Sequence, residues 1–469
     1  MKTTLALLLS LSLASAATPS FVRDLPTPAA PDSQCSNLTA APDGTLHLTW
    51  SAPSATAGER ALFLSTLAPA ATAWSAPRVI VSSPLLMENW ADFASLVVGT
   101  DGALTAQWFQ RNAPDAGGYD GWFSRSTDGG KTWRTPARLG HEFVALAPLS
   151  GGRTLAVWLE SARVRDPNAA PRPKRDPNAK RDPNAPRPAR DPNAPYAPSM
   201  KLLARLLAPD GSKLGEWTVD PDVCTCCQNT VASLPGDRVF VAYRGHTADE
   251  TRDNKFSIFD PGARTFSPPA TLRDDGWKIA ACPVNGPAAD ARGEALAVAW
   301  FTAAEGKPQV FARLSTDAGR TLAPAVRLDL GRPLGRIETV MLTDRSALFI
   351  WLEIGTAENA AGIYARRLFP DGKLSAPQLV AESTQARASG FPRAAQSRDG
   401  RIVVSWTQTG ELSRVQLREI DPGLLVASSA SRAPRAGTFA ALEFCEPVAV
   451  AHGSLPPRSR DRAVSQNTP

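Results

Sequence analysis

Four of the six cysteines fall in two short segments of this 469-residue chain. Cys224, Cys226 and Cys227 are almost consecutive, and Cys282 follows 55 residues after Cys227. Sulfur atoms at this density suit two chemistries: disulfide cross-links, or a thiolate site for Cu(I) or Zn²⁺. A bond between the neighbours Cys226 and Cys227 would strain the backbone, so the disulfide hypothesis expects cross-pairing to Cys224 or Cys282.

The spacing of these cysteines favours disulfides over a metal. It does not match the two-plus-two pattern typical of zinc sites, and an even number of cysteines in an exported chain is typical of disulfides. The metal hypothesis, with His246 or His141 as a further ligand, remains the alternative. The other two cysteines, Cys35 and Cys445, lie towards opposite ends of the chain, where a disulfide would close the longest loop.

Charged and aromatic residues gather in the same kind of segment as the cysteines. A carboxyl group can act as a general acid or base, and an arginine can bind a carboxylate through two hydrogen bonds. The candidates for such chemistry are Asp92, Glu142, Tyr243, Arg244, Arg252, Trp277, Arg336 and Arg393.

A repeat predicts how these segments are positioned. Seven segments share an apolar strand, a turn and a second strand that ends in an aromatic residue. The closing aromatic residues are Trp50, Trp108, Trp158, Tyr243, Trp300, Trp351 and Trp406. Their spacing is 50 to 58 residues, except for one interval of 85 that contains a basic insert. Short strands at such a period are typical of a β-propeller.

Two further strand-like runs follow each pair, so each unit predicts one four-stranded antiparallel blade. The fold expected is therefore an all-β propeller with seven blades. The seventh unit lacks an obvious fourth strand, which the segment around Phe21–Leu25 could supply. The segments that lead into the first strands and those that join the second and third strands then share one face of the ring, called the upper face below.

One turn motif identifies a family resemblance. Ser126, Asp128, Gly130 and Trp133 are spaced as Ser-x-Asp-x-Gly-x-x-Trp, and Ser315, Asp317 and Gly319 repeat the turn with Leu322 in place of Trp. This resembles the Asp box of the bacterial sialidase-like repeat family. The chain is most similar to uncharacterised secreted members with Cys-x-Cys-Cys-Gln and Cys-Pro-Val-Asn-Gly-Pro segments. The resemblance implies six blades and an Asp box with a structural role, on the face away from the active site.

The resemblance also implies the parts of a sialidase site: three arginines for the substrate carboxylate, an Asp as acid or base, and a Tyr nucleophile activated by a Glu. Asp92, Glu142 and Tyr243 are the catalytic candidates. Arg244, Arg252, Trp277, Arg336 and Arg393 are the candidates for substrate binding. Tyr243 also occupies the closing aromatic position of its repeat, so packing in the core is the alternative role.

Three functions remain open on these grounds. The first is a retaining exo-glycosidase acting on sialic acid or another acidic glycan. The second is a propeller that binds a glycan, polysaccharide or protein without chemistry. The third is a metal-binding protein built on the cysteines; otherwise no cofactor is expected.

The chain ends and the insert predict export. Residues 1–16 have the charged start, the apolar run Leu5–Leu13 and the small residues of a signal peptide, which predicts a secreted or periplasmic protein. No run is long enough to span a membrane. The propeller is expected over 17–450, with a disordered tail at 451–469. Residues 163–198 repeat Arg-Asp-Pro-Asn-Ala and hold nine Lys or Arg against four Asp.

The placement of the positive charge bears on possible partners. The insert is expected to be disordered and could contact an anionic cell surface. The rest of the chain has little net charge, which argues against a nucleic-acid partner.

Overall fold

The computed structural model describes residues 20–114, 118–162 and 198–428. These residues form a ring of seven antiparallel sheets, which confirms the predicted seven-bladed all-β propeller. The six blades implied by the resemblance are not found. The predicted signal peptide, nearly all of the basic insert, Cys445 and the predicted tail lie outside the described residues. No helix in the described ranges is long and apolar enough to cross a membrane.

The blades follow one another along the chain, and the first strand of each lines the central cavity. Blade 1 consists of β2 (Gln34–Ala40), β3 (Leu46–Pro53), β4 (Arg60–Leu67) and β5 (Arg78–Ser83). Blade 2 consists of β6 (Ser95–Val98), β7 (Leu104–Arg111), β8 (Tyr119–Ser126) and β9 (Ala137–Gly140). Blade 3 consists of β10 (Glu142–Pro148), β11 (Thr154–Ser161), β12 (Met200–Leu207) and β13 (Lys213–Val223).

Blade 4 consists of β14 (Thr230–Leu234), β15 (Arg238–Arg244), β16 (Asn254–Asp260) and the two short strands β17 (Thr265–Phe266) and β18 (Ala270–Thr271). Blade 5 consists of β19 (Ala288–Arg292), β20 (Ala295–Thr302), β21 (Gln309–Ser315) and β22 (Val326–Arg327). Blade 6 consists of β23 (Pro333–Met341), β24 (Ala347–Ile354), β25 (Ala360–Leu368) and β26 (Gln378–Thr384). Short 3-10 turns occur at Ser150–Gly152, Pro235–Asp237, Ala304–Gly306, Arg387–Ser389 and Pro422–Leu424.

Blade 7 closes the ring with a strand from the start of the chain. It consists of β27 (Arg393–Gln396), β28 (Ile402–Gln408), β29 (Arg414–Ile420) and β1 (Val22–Leu25). β1 pairs with β29, Val22 opposite Ile420 and Leu25 opposite Leu417, which confirms the predicted source of the fourth strand. Backbone hydrogen bonds within blade 7 therefore join the start of the chain to its last blade.

The closing aromatic residues form the cores of the blades. All seven lie in the second strand of their blade and are at most 5% exposed. Neighbouring strands bring a second ring against several of them, as where Trp50 stacks on Phe63 with centroids 5.6 Å apart. Burial of such large side chains is a main source of stability. The aromatic residues that repeat in the sequence are therefore the residues that form the hydrophobic core of each blade.

The two Ser-x-Asp turns are held by their own side chains. Asp128 Oδ1 accepts hydrogen bonds from the backbone N–H groups of Lys131 and Thr132, both at 3.0 Å, and Asp317 Oδ1 accepts one from Thr321 at 2.9 Å. Hydrogen bonds, the one from the Thr132 hydroxyl foremost, hold the pKa of Asp128 well below its usual range. Trp133 packs against the cluster that joins blades 1 and 2.

Polar side chains join the innermost strands around the cavity. The innermost strand of a blade has one free edge, and buried N–H groups on such an edge need acceptors. A side chain from the preceding blade supplies several of them. The pairs are Asn37 Oδ1 with Leu96 N at 3.5 Å, Asp92 Oδ1 with Phe143 N at 3.0 Å, Thr230 Oγ1 with Ala289 N at 3.1 Å, Asn285 Oδ1 with Arg336 N at 2.7 Å and Asp290 Oδ2 with Met341 N at 2.8 Å.

Glu338 gives this inner ring a testable pH dependence. Burial raises the pKa of its carboxyl from 4.5 to about 7, although Arg393 Nε lies 2.8 Å away. Between those pH values the folded state keeps a proton that the unfolded chain has lost, so the free energy of unfolding falls as pH rises. We expect this fall to be about 3 kcal/mol and to be absent from Glu338→Gln.

Denaturant unfolding of both proteins below about pH 4.5 and above about pH 7 measures this effect. Glu411→Gln, a change at an exposed position, is the control and should follow the wild type. Parallel pH profiles for the wild type and Glu338→Gln would show that Glu338 is ionised in the folded protein.

Candidate metal centre

The two cysteine segments meet on the upper face, where the chain passes between neighbouring blades. Cys224, Cys226 and Cys227 lie between β13 and β14, and Cys282 lies between β18 and β19. The N–H of Cys224 donates to the carbonyl oxygen of Arg244 at 3.0 Å, which fixes the first segment beside the end of β15. The two segments converge, as the sequence predicted from their equivalent positions in adjacent units.

The sulfur atoms of Cys224, Cys226 and Cys227 form a buried triad. Cys224 Sγ lies 3.6 Å from Cys227 Sγ and 4.0 Å from Cys226 Sγ, and all three atoms lie within 4.8 Å of one another. For comparison, sulfur ligands of one tetrahedral zinc ion, each about 2.3 Å from the metal, are about 3.8 Å apart. The triad residues are 1%, 5% and 2% exposed. The sulfurs therefore have the spacing of metal ligands.

No disulfide is formed among the cysteines of the described residues. Cys224 Sγ and Cys227 Sγ, for example, lie 3.6 Å apart, beyond bonding distance. Cys35 instead donates a hydrogen bond to the carbonyl oxygen of Asn89 at 3.4 Å. The proposed partner of Cys35, Cys445, lies outside the described residues, so that pairing stays a prediction.

Hydrogen bonds hold the two segments together without a covalent link. Gln228 Oε1 accepts from the N–H of Gly286 at 3.0 Å, and Gln228 Nε2 donates to the carbonyl oxygen of Ala91 at 2.7 Å. The Asn285 carbonyl oxygen accepts two bonds from the Arg244 guanidinium, at 3.1 and 2.7 Å. These bonds preorganise the sulfur atoms, which is a requirement for tight binding.

Positive charge lies beside the sulfurs. Arg252 Nη1 donates to Cys224 Sγ at 3.3 Å, and its Nη2 pairs with Glu250 at 2.8 Å. Hydrogen bonds with Cys226 and Cys227, then the charges of Arg252 and Arg244, hold the pKa of Cys224 well below its usual range. Burial raises the pKa of Cys227 to about 12, and that of Cys226 also rises. The two arginines thus favour a negative charge at Cys224.

The two histidines suggested as further metal ligands are engaged elsewhere. His246 Nδ1 lies 2.9 Å from Asp222 and its Nε2 lies 3.0 Å from Glu250, so carboxylates occupy both nitrogens. His141 stacks on Tyr119 and lies 3.5 Å from Glu142. The thiols therefore remain the candidate ligands.

The catalytic candidates Asp92 and Glu142 are brought together, with an unforeseen tyrosine. Asp92 is 2% exposed, borders the central cavity and accepts a hydrogen bond from the Tyr119 hydroxyl at 2.9 Å. Burial, and then the charge of Glu142, raise the pKa of Asp92 well above its usual value. Tyr119 begins β8, and no motif in the sequence marked it.

The third catalytic candidate, Tyr243, lies apart from that pair. It is fully buried in the core that joins blades 3 and 4, and its hydroxyl donates to Asp220 at 3.0 Å. Burial raises the pKa of this phenol far above its usual value. Tyr243 therefore has the alternative role, packing in the core. The structure gives it no contact with Asp92 or Glu142.

The candidate substrate-binding residues contact neighbouring groups of the protein. Arg336 donates to the carbonyl oxygens of Ala386 and Gly390 and lies over the ring of Trp90 at 4.8 Å. Burial lowers its pKa to about 10. Arg244 lies over Trp277 at 4.8 Å and bonds backbone carbonyls, Arg252 bonds Cys224, and Arg393 pairs with Glu338. Each of these guanidinium groups thus has a partner within the protein.

Sequence reasoning missed the residues that support the cysteine cluster. Gln228 and Asn285 hold the two segments together, and Thr225 Oγ1 lies 3.4 Å from Cys282 Sγ. The signal was present, since Gln228 adjoins Cys227 and the Asn285-Gly286 pair follows Cys282 closely. Their roles depend on contacts between segments almost 60 residues apart, which spacing within one segment does not reveal.

Comparisons with known proteins return similar structures only. No family model matches the chain, and no curated protein matches it. A protein of unknown function from Dyadobacter fermentans is 16% identical, with 86% of this chain and 100% of that chain covered and a TM-score of 0.44.

Two similar structures are enzymes. The NanB sialidase of Streptococcus pneumoniae is 9% identical, with 85% of this chain and 94% of that chain covered and a TM-score of 0.44. The α-L-arabinanase of Penicillium chrysogenum is 13% identical, with 87% and 100% covered and a TM-score of 0.44. Similarities of this degree assign no activity to this chain.

Proposed function

We propose that this protein binds a soft metal ion, Cu(I) in preference to Zn²⁺, through Cys224, Cys226 and Cys227. One observation carries the proposal: three buried sulfur atoms, unbonded to one another, lie within 4.8 Å of each other on the upper face. Thiolate ligands select Cu(I) and Zn²⁺ over harder ions. If the predicted signal peptide operates, the site would hold its metal outside the cytoplasm.

The number and charge of the ligands favour Cu(I). Structural zinc sites almost always have four ligands, whereas soft Cu(I) is satisfied by fewer sulfur ligands, and the triad supplies three. Three thiolates around a monovalent ion leave negative charge in a buried place. The guanidinium groups of Arg252 and Arg244 lie where they offset that charge, as groups around a metal's ligands usually do.

A competition titration tests the proposal. Protein kept reduced is titrated with Cu(I) in the presence of a chromophoric Cu(I) chelator, and in parallel with Zn²⁺. We expect one Cu(I) per chain to be withdrawn from the chelator, and weaker binding of Zn²⁺. Failure of the reduced, folded protein to withdraw Cu(I) would contradict the proposal.

A second candidate function is hydrolysis of a terminal acidic sugar, which one feature supports. The Asp92 carboxyl, with its raised pKa, borders a central cavity of about 850 Å³, and a raised pKa suits a general acid. Release of fluorophore from a 2-linked N-acetylneuraminic acid substrate, and loss of that release in Asp92→Ala, would support it. No release by folded wild-type protein would count against it and leave the metal proposal unaffected.

A further inference from the structure

We infer that Cys282 is the thiol through which the buried triad receives its metal from a donor that carries Cu(I) on a thiolate. This inference rests on the proposed metal site and assigns different roles to its four cysteines. Cys224, Cys226 and Cys227 hold the ion at equilibrium, and Cys282 makes the first bond to it.

The burial of the four sulfurs separates these roles. The triad residues are at most 5% exposed, so a carrier cannot place its own sulfur beside all three without a rearrangement of the protein. Cys282 is partly exposed, and it is not a member of the group whose sulfurs all lie within 4.8 Å of one another. It is the cysteine of the cluster that an approaching donor meets first.

Cys282 also has direct contact with the triad. Cys282 is partly buried and packs against the three triad cysteines. On its other side, Thr225 Oγ1 lies 3.4 Å from Cys282 Sγ, which orients the thiol from the segment that carries the triad. An ion bound to Cys282 thus has the triad sulfurs as its neighbouring ligands.

The transfer is an exchange of ligands and changes no oxidation state. The Cys282 thiolate forms a bond to Cu(I) while the ion still holds a donor thiolate. The copper–sulfur bond of the donor then breaks, and the departing thiolate takes up the proton that Cys282 gave to solvent. Cys226 and then the other triad sulfurs would replace Cys282 around the ion. One of the protons that their thiols lose would return to the Cys282 thiolate and the rest would pass to solvent, and the copper would remain Cu(I) throughout.

Loading kinetics of Cys282→Ser test the inference. Cu(I) is supplied as its glutathione complex, the rise of thiolate-to-copper absorbance gives the loading rate, and chelator competition gives the affinity. We expect the loading rate to fall at least about ten-fold. The Cu(I) affinity should fall by less than about ten-fold, the lower end of the loss that follows removal of an outer-shell partner. Thr225→Val keeps the thiol and is the matched control, with a smaller loss of rate.

Several outcomes would overturn the inference. An unchanged loading rate would show that the triad is reached directly, and an affinity that falls as far as the rate would make Cys282 an ordinary ligand. If the variant fails to fold, alkylation of the wild type followed by peptide mass mapping replaces it. Cys282 must then react before the triad, and the singly alkylated protein must load slowly. A wild type that binds no Cu(I) would instead refute the proposed function itself.

Discussion

Replacing Cys226 with serine is expected to weaken Cu(I) binding by at least about 100-fold, because loss of a ligand should exceed the 10- to 100-fold cost of an outer-shell change. Cys226 Sγ lies 4.0 Å from Cys224 Sγ, and its loss leaves only Cys224 and Cys227 of the buried triad. Competition with a chromophoric chelator measures the loss.

Cys35→Ser provides the control for this experiment. Cys35 lies in β2 of blade 1 and is bonded to the Asn89 carbonyl oxygen, outside the cysteine cluster. Its replacement should leave the Cu(I) affinity unchanged. Equal losses in Cys226→Ser and Cys35→Ser would mean that copper binds by chance to accessible thiols, against the proposed site.

Gly286→Ala is expected to impair both the fold and the site. A Cβ atom at this position would lie 2.0 Å from the carbonyl oxygen and 2.8 Å from the nitrogen of Gln228, which is backbone that cannot rotate away. The two cysteine segments must then separate. We expect a free energy of unfolding lower by about 1–3 kcal/mol, as for other overpacked positions, and a Cu(I) affinity lower by at least about ten-fold.

Denaturant unfolding and chelator competition measure the two effects of Gly286→Ala. Gly410→Ala is the matched control, because its Cβ would meet only the Leu412 carbonyl oxygen, at an ordinary 3.7 Å. Both quantities should stay near wild type in the control. A Gly286→Ala protein with full stability and full affinity would show that the close approach of the segments is not required for the site.

The architecture could be predicted because it depends on repetition. Each closing aromatic residue, from Trp50 to Trp406, occupies the same buried position in its own blade. The spacing of these residues in the sequence therefore predicts the number of blades. The closing strand was also predictable, since the seventh unit lacked a fourth strand and Val22–Leu25 could supply it. The count of seven followed from this chain's own residues, where the family resemblance implied six.

The roles of individual polar residues could not be predicted in the same way. Arg336 and Arg244 stand on the upper face as expected, but their donors bond backbone carbonyls from other blades. Tyr243 carries a hydroxyl suited to catalysis, yet its partner is Asp220 in a closed core. Spacing within the chain reports which face a residue occupies, whereas its partners are set by loops distant in sequence.

The cysteines show the same limit most clearly. Their number and the predicted export favoured disulfides, and their equivalent positions in adjacent units correctly indicated that they meet. Whether they bond to one another depends on distances between sulfurs, and the separations of 3.6 and 4.0 Å are longer than a disulfide bond and compatible with two ligands of one ion. We therefore propose metal binding here in place of cross-linking.

Native mass spectrometry of the purified protein, titrated with Cu(I) after mild reduction, tests the central claim most directly. One spectrum reports both the bound metal and the mass lost when cysteines pair. The account predicts a single copper adduct on protein whose cluster thiols are all reduced, and no such adduct on Cys226→Ser. A protein with two disulfides among Cys224, Cys226, Cys227 and Cys282, or one that stays free of copper when reduced and folded, would contradict it.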